Sequence, residues 1–470
     1  MKRFYIAALC ILSMISAVSP GCTSGRDNKK INAADPVFEK GAITASVSCE
    51  KDRTVTYTLY LPASYDSLKK YPIILAFDSH GTGNIPVELF REQAEKYGYI
   101  IAGSNNSRNG QSLEANLGFY DIMLGDLLTR FSVDRTRIYT AGFSGGARVA
   151  SGAAILRGGI SGVIGCSAGF PQTEKPISQK FDFIGFGGTD DMNYAEMVNL
   201  DRALEKNAFR HQLITFDGTH AWPPKAMVSE AFVFFELMAM KDGKLAKNDD
   251  YIKTALGVAQ QKIDSASSAG KKYEEYLLYV KLVRYFDGLA DITKQKEALA
   301  KLEASAAVKQ KQKEIEYSEK KELYLQSEYM KSLQEKDAKW WKAETARLNE
   351  FVKKSQNTDE KHLTVRVLEY LSLAAYSTAN ALLQQNRLDE AERYIELYSI
   401  IDPDNSEYAY MFATLYLKKG EKEKSLTSLE KAVELGFNDL SRLQNDTSFT
   451  KIRAEEKYLK IVEKLSGSGK

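Results

Sequence analysis

Short apolar runs alternate with amphipathic stretches between residues 41 and 243. The segment VTYTLYLP (55–62) alternates apolar and polar side chains, as a half-buried strand does, whereas IILAF (73–77) is a continuous apolar run typical of a buried parallel strand. Five similar runs follow, at 99–102, 137–140, 162–165, 181–186 and 212–216. Helical patterns lie between them, for example at 87–98 and 116–131. This alternation predicts an α/β domain with a doubly wound, mostly parallel sheet.

The pattern changes after about residue 244, where Gly and Pro become rare and Lys, Glu, Ala, Leu and Tyr dominate. Apolar residues recur at spacings of seven, eight or three, namely Val308, Ile315, Leu323, Met330, Leu333, Trp340 and Leu348. Such spacing predicts an apolar seam along helices that pack on neighbouring helices. Residues 244–360 are therefore expected to form a long-helix region.

A repeat with a period of 34 residues occupies the C-terminal part, residues 361–470. The corresponding positions are Ala379 and Ala413, Ala391 and Ser425, Asn386 and Gly420, and Pro403 and Phe437. Small residues at that period resemble the tetratricopeptide repeat, with units at 372–405 and 406–439 and closing helices after them. The resemblance implies an all-α domain whose concave face binds a protein partner, or one that packs against the first domain alone.

Composition and charge narrow the functional classes. The 470 residues carry a formal net charge of +2, which Lys2 and Arg3 supply. A near-neutral remainder argues against a nucleic-acid partner. No glycine-rich phosphate loop, Cys/His cluster or metal-ligand pattern is evident, so no cofactor and no metal are expected.

The first 22 residues indicate export. A basic start precedes the apolar run 6–18 and then Ser19-Pro20-Gly21-Cys22, a length too short for a spanning helix. The segment resembles a bacterial lipoprotein signal, which implies lipidation of Cys22, a membrane anchor and an extracytoplasmic location. A plain secretory peptide is the alternative. Residues 23–40 are polar and predict a flexible tether.

Cys49 and Cys166 are the cysteines that remain beyond this leader. They could pair in an oxidising compartment, although the sequence does not bring them together. Two separate buried thiols are the favoured interpretation.

One serine stands between glycines where a predicted strand meets a predicted helix, in TAGFSGGARVA (140–150). A sharp strand-to-helix turn of the G-x-S-x-G type presents a serine hydroxyl at the carboxyl edge of a sheet, and glycines remove side chains that would clash there. Ser144 is therefore the candidate nucleophile. The N–H of Gly145, which opens the helix, is the candidate for one oxyanion donor.

A serine nucleophile needs a base, and the chain has four histidines. His362 lies in the helical half, His211 opens a probable strand, and His80 lies in an early loop. His220 follows the last predicted strand and is the candidate base. The histidine needs a carboxylate partner, for which the loop after FDFIGFGG (181–188) offers Asp190 and Asp191.

The other aspartate of that pair could cap the next helix. Asp217 is a more distant candidate for the acid. The polar loop 104–110 could line a pocket or form a simple turn.

These motifs together resemble the α/β-hydrolase superfamily, in particular polyhydroxybutyrate depolymerases and feruloyl or acetyl-xylan esterases. The pieces that carry the resemblance are 134–150, GTDD (188–191) and GTHAWP (218–223). In that branch the acid follows Gly-Thr-x-Asp, which favours Asp191 over Asp190. The HGTG sequence resembles esterase oxyanion loops and implies Thr82, then Gly81, as the second oxyanion donor.

The resemblance implies a serine-dependent carboxylic ester hydrolase that forms an acyl-enzyme on an extracytoplasmic ester, for example a polysaccharide ester. A serine peptidase with the same three residues is one alternative. A catalytically weak platform that binds partners through its repeats is another, because the Asp78-Ser79 pair before His80 departs from the usual oxyanion sequence.

Overall fold

The structure is a computed structural model that describes residues 38–174 and 176–467. The predicted signal peptide, Cys22 and the tether up to residue 37 lie outside the described residues. In the described ranges no helix has both the length and the apolar character that crossing a bilayer requires.

Eight strands form one mixed sheet in the order β1-β2-β4-β3-β5-β6-β7-β8. The strands are β1 (Ile43–Ser48), β2 (Thr56–Tyr60), β3 (Tyr71–Phe77), β4 (Ile100–Ser104), β5 (Val133–Phe143), β6 (Gly162–Cys166), β7 (Asp182–Gly188) and β8 (His211–Phe216). β2 pairs antiparallel with both β1 and β4, and all other pairs are parallel. The predicted α/β sheet is thus confirmed, with an antiparallel edge.

The central strands are buried on both sides because helices cover both faces of the sheet. The helices of this half are α1 (Asn84–Tyr97), α2 (Leu113–Arg130), α3 (Gly145–Leu156), α4 (Tyr194–Lys206) and α5 (Ser229–Lys241). In β5, Tyr139 and Ala141 join the core that α1 and α5 fill, whereas Thr140 donates to the Ala150 carbonyl of α3 on the opposite face. The parallel strands place all their carboxyl ends at one edge of the sheet.

The second half is helical throughout its described part. It contains α6 (Asp249–Ser268), α7 (Lys272–Phe286), α8 (Thr293–Ala304), α9 (Ala306–Glu335), α10 (Ala338–Lys354), α11 (Thr358–Gln384), α12 (Leu388–Ile401), α13 (Ser406–Lys418), α14 (Lys422–Glu434), α15 (Leu440–Asn445) and α16 (Glu456–Gly467). Short 3₁₀ helices occur at Lys225–Met227 in the first half and at Thr447–Ile452 in the second.

The boundary predicted at 243/244 does not divide the core. Ile252 and Ile263 of α6 and Tyr285 of α7 belong to the same apolar cluster as Phe232 and Phe235 of α5. From Glu39 onward the described chain forms one compact unit. The first two helices after the boundary therefore extend the core of the sheet domain.

The seam predicted along α9 differs from the observed one in the middle of that helix. Val308 and Leu333 are buried, but Leu323 is 55% exposed. Its neighbour Glu322 is fully buried instead, because it pairs with Arg366 of α11. A buried charge pair thus replaces the expected apolar contact.

Two helix pairs, α11–α12 and α13–α14, follow the 34-residue period. Asn386 and Gly420, the corresponding turn residues, both adopt left-handed backbone conformations, with φ of 57° and 82°. Asparagine and glycine tolerate that conformation best, which is why they recur at this position. Helix α11 begins at Thr358 and runs through the boundary predicted at 360/361.

Candidate active site

The turn between β5 and α3 brings three backbone segments into close contact. Ser144 has φ 53° and ψ −120°, a strained conformation for a residue with a side chain. A Cβ atom on Gly142 would lie 2.1 Å from the Gly146 carbonyl oxygen, and one on Gly146 would lie 2.0 Å from the Phe77 carbonyl oxygen. Only glycines permit this packing, and it fixes the Ser144 hydroxyl at the carboxyl edge of the sheet.

Three side chains that are far apart in the sequence form a continuous hydrogen-bond chain at this edge. Ser144 Oγ lies 2.9 Å from His220 Nε2, and His220 Nδ1 lies 2.9 Å from Asp191 Oδ1. Asp191 is completely buried, and its Oδ1 also accepts the Asn193 N–H at 2.8 Å. Because the carboxylate accepts a hydrogen from Nδ1, Nε2 is left to accept the serine proton.

The hydroxyl remains accessible, since Ser144 is only partly buried and the His220 side chain is 17% exposed. The arrangement can therefore receive a substrate.

Aromatic and polar contacts hold the loop that carries His220. The Phe143 ring lies 4.8 Å from the His220 ring, centroid to centroid. Trp222 Nε1 donates to Asp78 Oδ2 at 3.0 Å, and Ser167 Oγ donates to the Ala221 carbonyl at 3.1 Å. These contacts hold the imidazole and the two residues that follow it in the loop.

Asp78 explains the unusual sequence after β3. It is 2% exposed and accepts both the Trp222 indole N–H and the His80 backbone N–H. Burial opposes its ionisation, but hydrogen bonds from His80 and Trp222 outweigh burial and hold the pKa of Asp78 below its ordinary value. The Asp78 carboxylate, whose Oδ1 lies 3.6 Å from His80 Nδ1, raises the pKa of the exposed His80 side chain. Asp78, at which the sequence departs from the esterase pattern, thus connects the loop after β3 with the loop that carries His220.

The N–H of Gly145 lies at the first position of α3, where a helix leaves N–H groups without intrahelical acceptors. The side chain of Asn109 covers this position, because a Cβ on Gly145 would lie 1.8 Å from Asn109 Oδ1. The Asn109 N–H donates to the Ser79 carbonyl at 2.8 Å. Asn109 belongs to the polar loop 104–110, and its position beside Gly145 agrees with the pocket-lining alternative for that loop.

The residues predicted for the second oxyanion donor differ in their backbone hydrogen bonds. The N–H of Gly81 donates to the Asp78 carbonyl at 3.2 Å within a turn. The N–H groups of Thr82 and of Ser79 have no acceptor within the described ranges. Thr82 therefore stays a candidate and Ser79 joins it, since Ser79 lies only two residues after the contact between Phe77 and α3.

The second aspartate does not act as the expected helix cap. Asn193 occupies the N-cap of α4 without a side-chain cap, and Asp190 Oδ1 instead accepts a hydrogen bond from His362 Nδ1 at 2.6 Å. His362 was assigned to the helical half, and its proximity to the site was not predicted.

Asp190, Asp217 and His362 bring ligand-type atoms within 4.8 Å of one another. These residues could offer three ligands to a cation. The hydrogen bond between Asp190 and His362 already satisfies two of them without a metal.

The side chains of the remaining candidates take no part in the hydrogen-bond chain from Ser144 to Asp191. His211 is buried in β8, with Nε2 3.2 Å from Asp201, as expected for a structural histidine. Cys49 and Cys166 are both free and buried, so they form no disulfide with each other.

The similarities to solved structures described here are distant. No family model matches the chain, and no curated protein matches it. Among solved structures, S-formylglutathione hydrolase from Staphylococcus aureus is similar with 14% identity and a TM-score of 0.33, covering 42% of this chain and 96% of that protein. A ferulic acid esterase shows 17% identity and a TM-score of 0.33, covering 41% and 97%.

A third similar structure, described as a putative dipeptidyl aminopeptidase IV from Bacteroides ovatus, shows 16% identity and a TM-score of 0.34, covering 42% of this chain and 35% of that one. At these values the similarities support no functional inference. The function therefore has to be derived from the geometry of the site.

Proposed function

We propose that this protein is a serine hydrolase that cleaves a carboxylic ester through an acyl-enzyme. The observation that carries the proposal is the hydrogen-bond chain from Ser144 Oγ through His220 to the buried Asp191, with both distances at 2.9 Å. A hydroxyl, an imidazole and a carboxylate in this order are the parts that nucleophilic acyl transfer needs. The position of Ser144 on a strained strand-to-helix turn is typical of the nucleophile in α/β-hydrolases.

In the first half-reaction, Ser144 Oγ attacks the ester carbonyl carbon while His220 Nε2 takes the hydroxyl proton. The carbonyl oxygen becomes an oxyanion, which the N–H of Gly145 and an N–H of the loop after β3 stabilise. Asp191 stabilises the imidazolium and keeps its orientation. The imidazolium then donates its proton to the leaving alkoxide oxygen, the C–O bond breaks, and the acyl group stays on Ser144.

In the second half-reaction, His220 Nε2 takes a proton from water as the water oxygen attacks the acyl carbon. The second oxyanion forms in the same place and collapses with release of the carboxylic acid. The proton returns from His220 to Ser144 Oγ, which restores the enzyme. The atoms and protons of the two half-reactions balance with the ester, one water molecule and these residues.

A substrate panel tests this proposal. The purified protein should hydrolyse p-nitrophenyl acetate and butyrate, and Ser144→Ala should lose at least about 10³-fold in kcat/KM because the nucleophile is gone. Ser151→Ala is the matched control, since Ser151 lies two turns further along α3 and its hydroxyl contacts only backbone carbonyls of that helix, those of Ala147 and Arg148. Equal hydrolysis by Ser144→Ala would refute the proposal. Faster cleavage of p-nitroanilide amides than of esters would favour a peptidase instead.

The wider setting is also a proposal. An acylated polysaccharide is one ester to include in the panel, because the sequence resembles acetyl-xylan and feruloyl esterases. An extracytoplasmic, lipid-anchored location is supported by the resemblance of residues 1–22 to a lipoprotein signal. Metabolic labelling with palmitate should mark the wild type and not Cys22→Ala. Partner binding by the tetratricopeptide-like helix pairs stays a prediction.

A further inference from the structure

One face of α11 is turned toward the loop that carries the catalytic acid. His362, Arg366 and Glu369 are spaced by four and three residues, so they project from the same side of the helix. His362 and Arg366 directly contact residues that lie before and after Asp191 in the sequence. This helix belongs to the half of the chain that the sequence separates from the catalytic domain.

Arg366 connects three groups while being only 6% exposed. Its Nη1 donates to the Thr189 carbonyl at 2.7 Å, and its Nε and Nη2 donate to Glu322 Oε2 at 2.9 and 2.6 Å. Its guanidinium also lies over the Tyr194 ring, 4.6 Å from the centroid. Thr189 precedes Asp191 by two residues and Tyr194 follows it by three, so one side chain holds the acid loop at both ends.

His362 adds a second connection directly beside the acid. Its Nδ1–H donates to Asp190 Oδ1 at 2.6 Å, and the Asp190 N–H donates to the Gly218 carbonyl at 2.9 Å. Gly218 lies two residues before His220. The helical half, the acid loop and the histidine loop therefore form one hydrogen-bonded network.

Glu369 indicates how far this face of α11 extends. Burial raises the pKa of Glu369, the nearby Asp402 and Asp191 raise it further, and His220 opposes them. The carboxylate is therefore within electrostatic range of the catalytic histidine and its acid.

We propose that α11 is a positioning element of the active site, in which Arg366 and His362 hold residues 189–191 so that Asp191 meets His220. The proposal rests on the hydrolase function proposed above. A free acid loop between a strand end and α4 would have many conformations, and ordering it costs conformational entropy. Glu322 holds the buried guanidinium of Arg366 in place, and the N–H groups of Arg366 then restrict the loop before substrate binds.

The test compares substitutions in the full chain. Arg366→Met removes the contact with Thr189 but leaves Glu322 as a buried unpaired carboxylate, so the double variant Arg366→Met/Glu322→Leu is made as well. His362→Ala removes the contact with Asp190 without leaving a buried charge. Arg202→Met is the matched control, because Arg202 of α4 makes a two-bond pair with Glu319 of α9 and does not contact the acid loop.

We expect the Arg366 variants and His362→Ala to lower kcat by about 10- to 100-fold with little change in KM, since a displacement near 1 Å has that effect on a catalytic group. The acid limb of the kcat/KM profile should move to lower pH, because an imidazole that loses its carboxylate loses part of its affinity for a proton. His362→Gln keeps an N–H donor and should recover most of the activity. Arg202→Met should behave as the wild type.

A second readout does not depend on turnover. The downfield proton resonance of the hydrogen bond between His220 and Asp191, assigned by its loss in His220→Ala, should disappear or shift in both Arg366 variants and persist in Arg202→Met. Unchanged kcat, pH limb and resonance in the Arg366 and His362 variants would overturn the proposal, as would an equal loss in Arg202→Met. An inactive wild type that retains this Arg366-dependent resonance would refute the hydrolase function and leave the positioning contact standing.

Discussion

Substitution of Gly146 gives the most direct structural test of the turn between β5 and α3 that carries Ser144. A methyl group at this position would lie 2.0 Å from the Phe77 carbonyl oxygen, whereas carbon and oxygen atoms normally approach to about 3.3 Å. The end of β3 and the start of α3 would therefore have to separate by about 1.3 Å. Neither side can yield easily, because Phe77 is completely buried in the centre of the sheet.

Gly146→Ala should for this reason weaken both stability and catalysis. Backbone shifts of this kind cost about 1–3 kcal/mol, and they must also offset the gain of up to about 1 kcal/mol that alanine brings to a helix. Because Ser144 lies at the same turn, a displacement near 1 Å should reduce kcat about 10²-fold.

Denaturant unfolding and ester hydrolysis measure these two effects. Gly125→Ala is the control, since Gly125 lies exposed in α2 and a methyl group there has no atom within 4 Å. The control should gain about 0.5–1 kcal/mol and keep its kcat. A Gly146→Ala protein as stable and as active as the control would refute the close contact between β3 and α3.

Three further predictions follow from individual contacts. Asp191→Asn should lower kcat about 10⁴-fold with little change in KM, because an amide favours the wrong imidazole tautomer; a loss below tenfold would contradict this role. Burial raises the pKa of Cys49 to about 12 and that of Cys166 well above its ordinary value, so peptide mapping after iodoacetamide at pH 8 should find neither modified in the native protein, and modification of either would count against it. Trp222→Phe should cost about 1.5–3 kcal/mol near neutral pH, since Asp78 loses a buried donor. The pKa of Asp78 is lower in the folded state than in the unfolded state. The stability that Asp78 contributes is therefore present above the unfolded-state pKa and is lost as the pH falls through the folded-state pKa. The penalty of Trp222→Phe should shrink in acid, and a pH-independent penalty in denaturant unfolding would contradict this.

Much of the sheet domain follows from local patterns. The run at 73–77 became the core of β3, with every residue from Ile73 to Phe77 at 0% exposure, because an apolar segment of that length is stable only between two helix layers. The glycines around Ser144 predicted a tight turn, and the turn is present, with a positive φ at Ser144. These features depend on residues that are close in the sequence.

Contacts between the two halves could not be predicted in the same way. Periodicity favoured Leu323 as a buried residue of α9, yet Glu322 is buried because Arg366, 44 residues later, supplies its partner. The residue types alone leave Asp190 and Asp191 equivalent, and only the resemblance to esterases favoured Asp191; in the structure His220 contacts Asp191 and His362 contacts Asp190. Such choices are decided by tertiary partners, which no local pattern encodes.

The central claim is that Ser144 is a nucleophile activated by His220. Reaction of the intact protein with a fluorophosphonate, followed by intact-mass measurement and peptide mapping, tests it most directly. The account predicts one adduct, on the peptide that contains Ser144, absent from Ser144→Ala and formed far more slowly by His220→Ala. A folded wild-type protein that forms no adduct, or that carries the adduct on another serine, would contradict it.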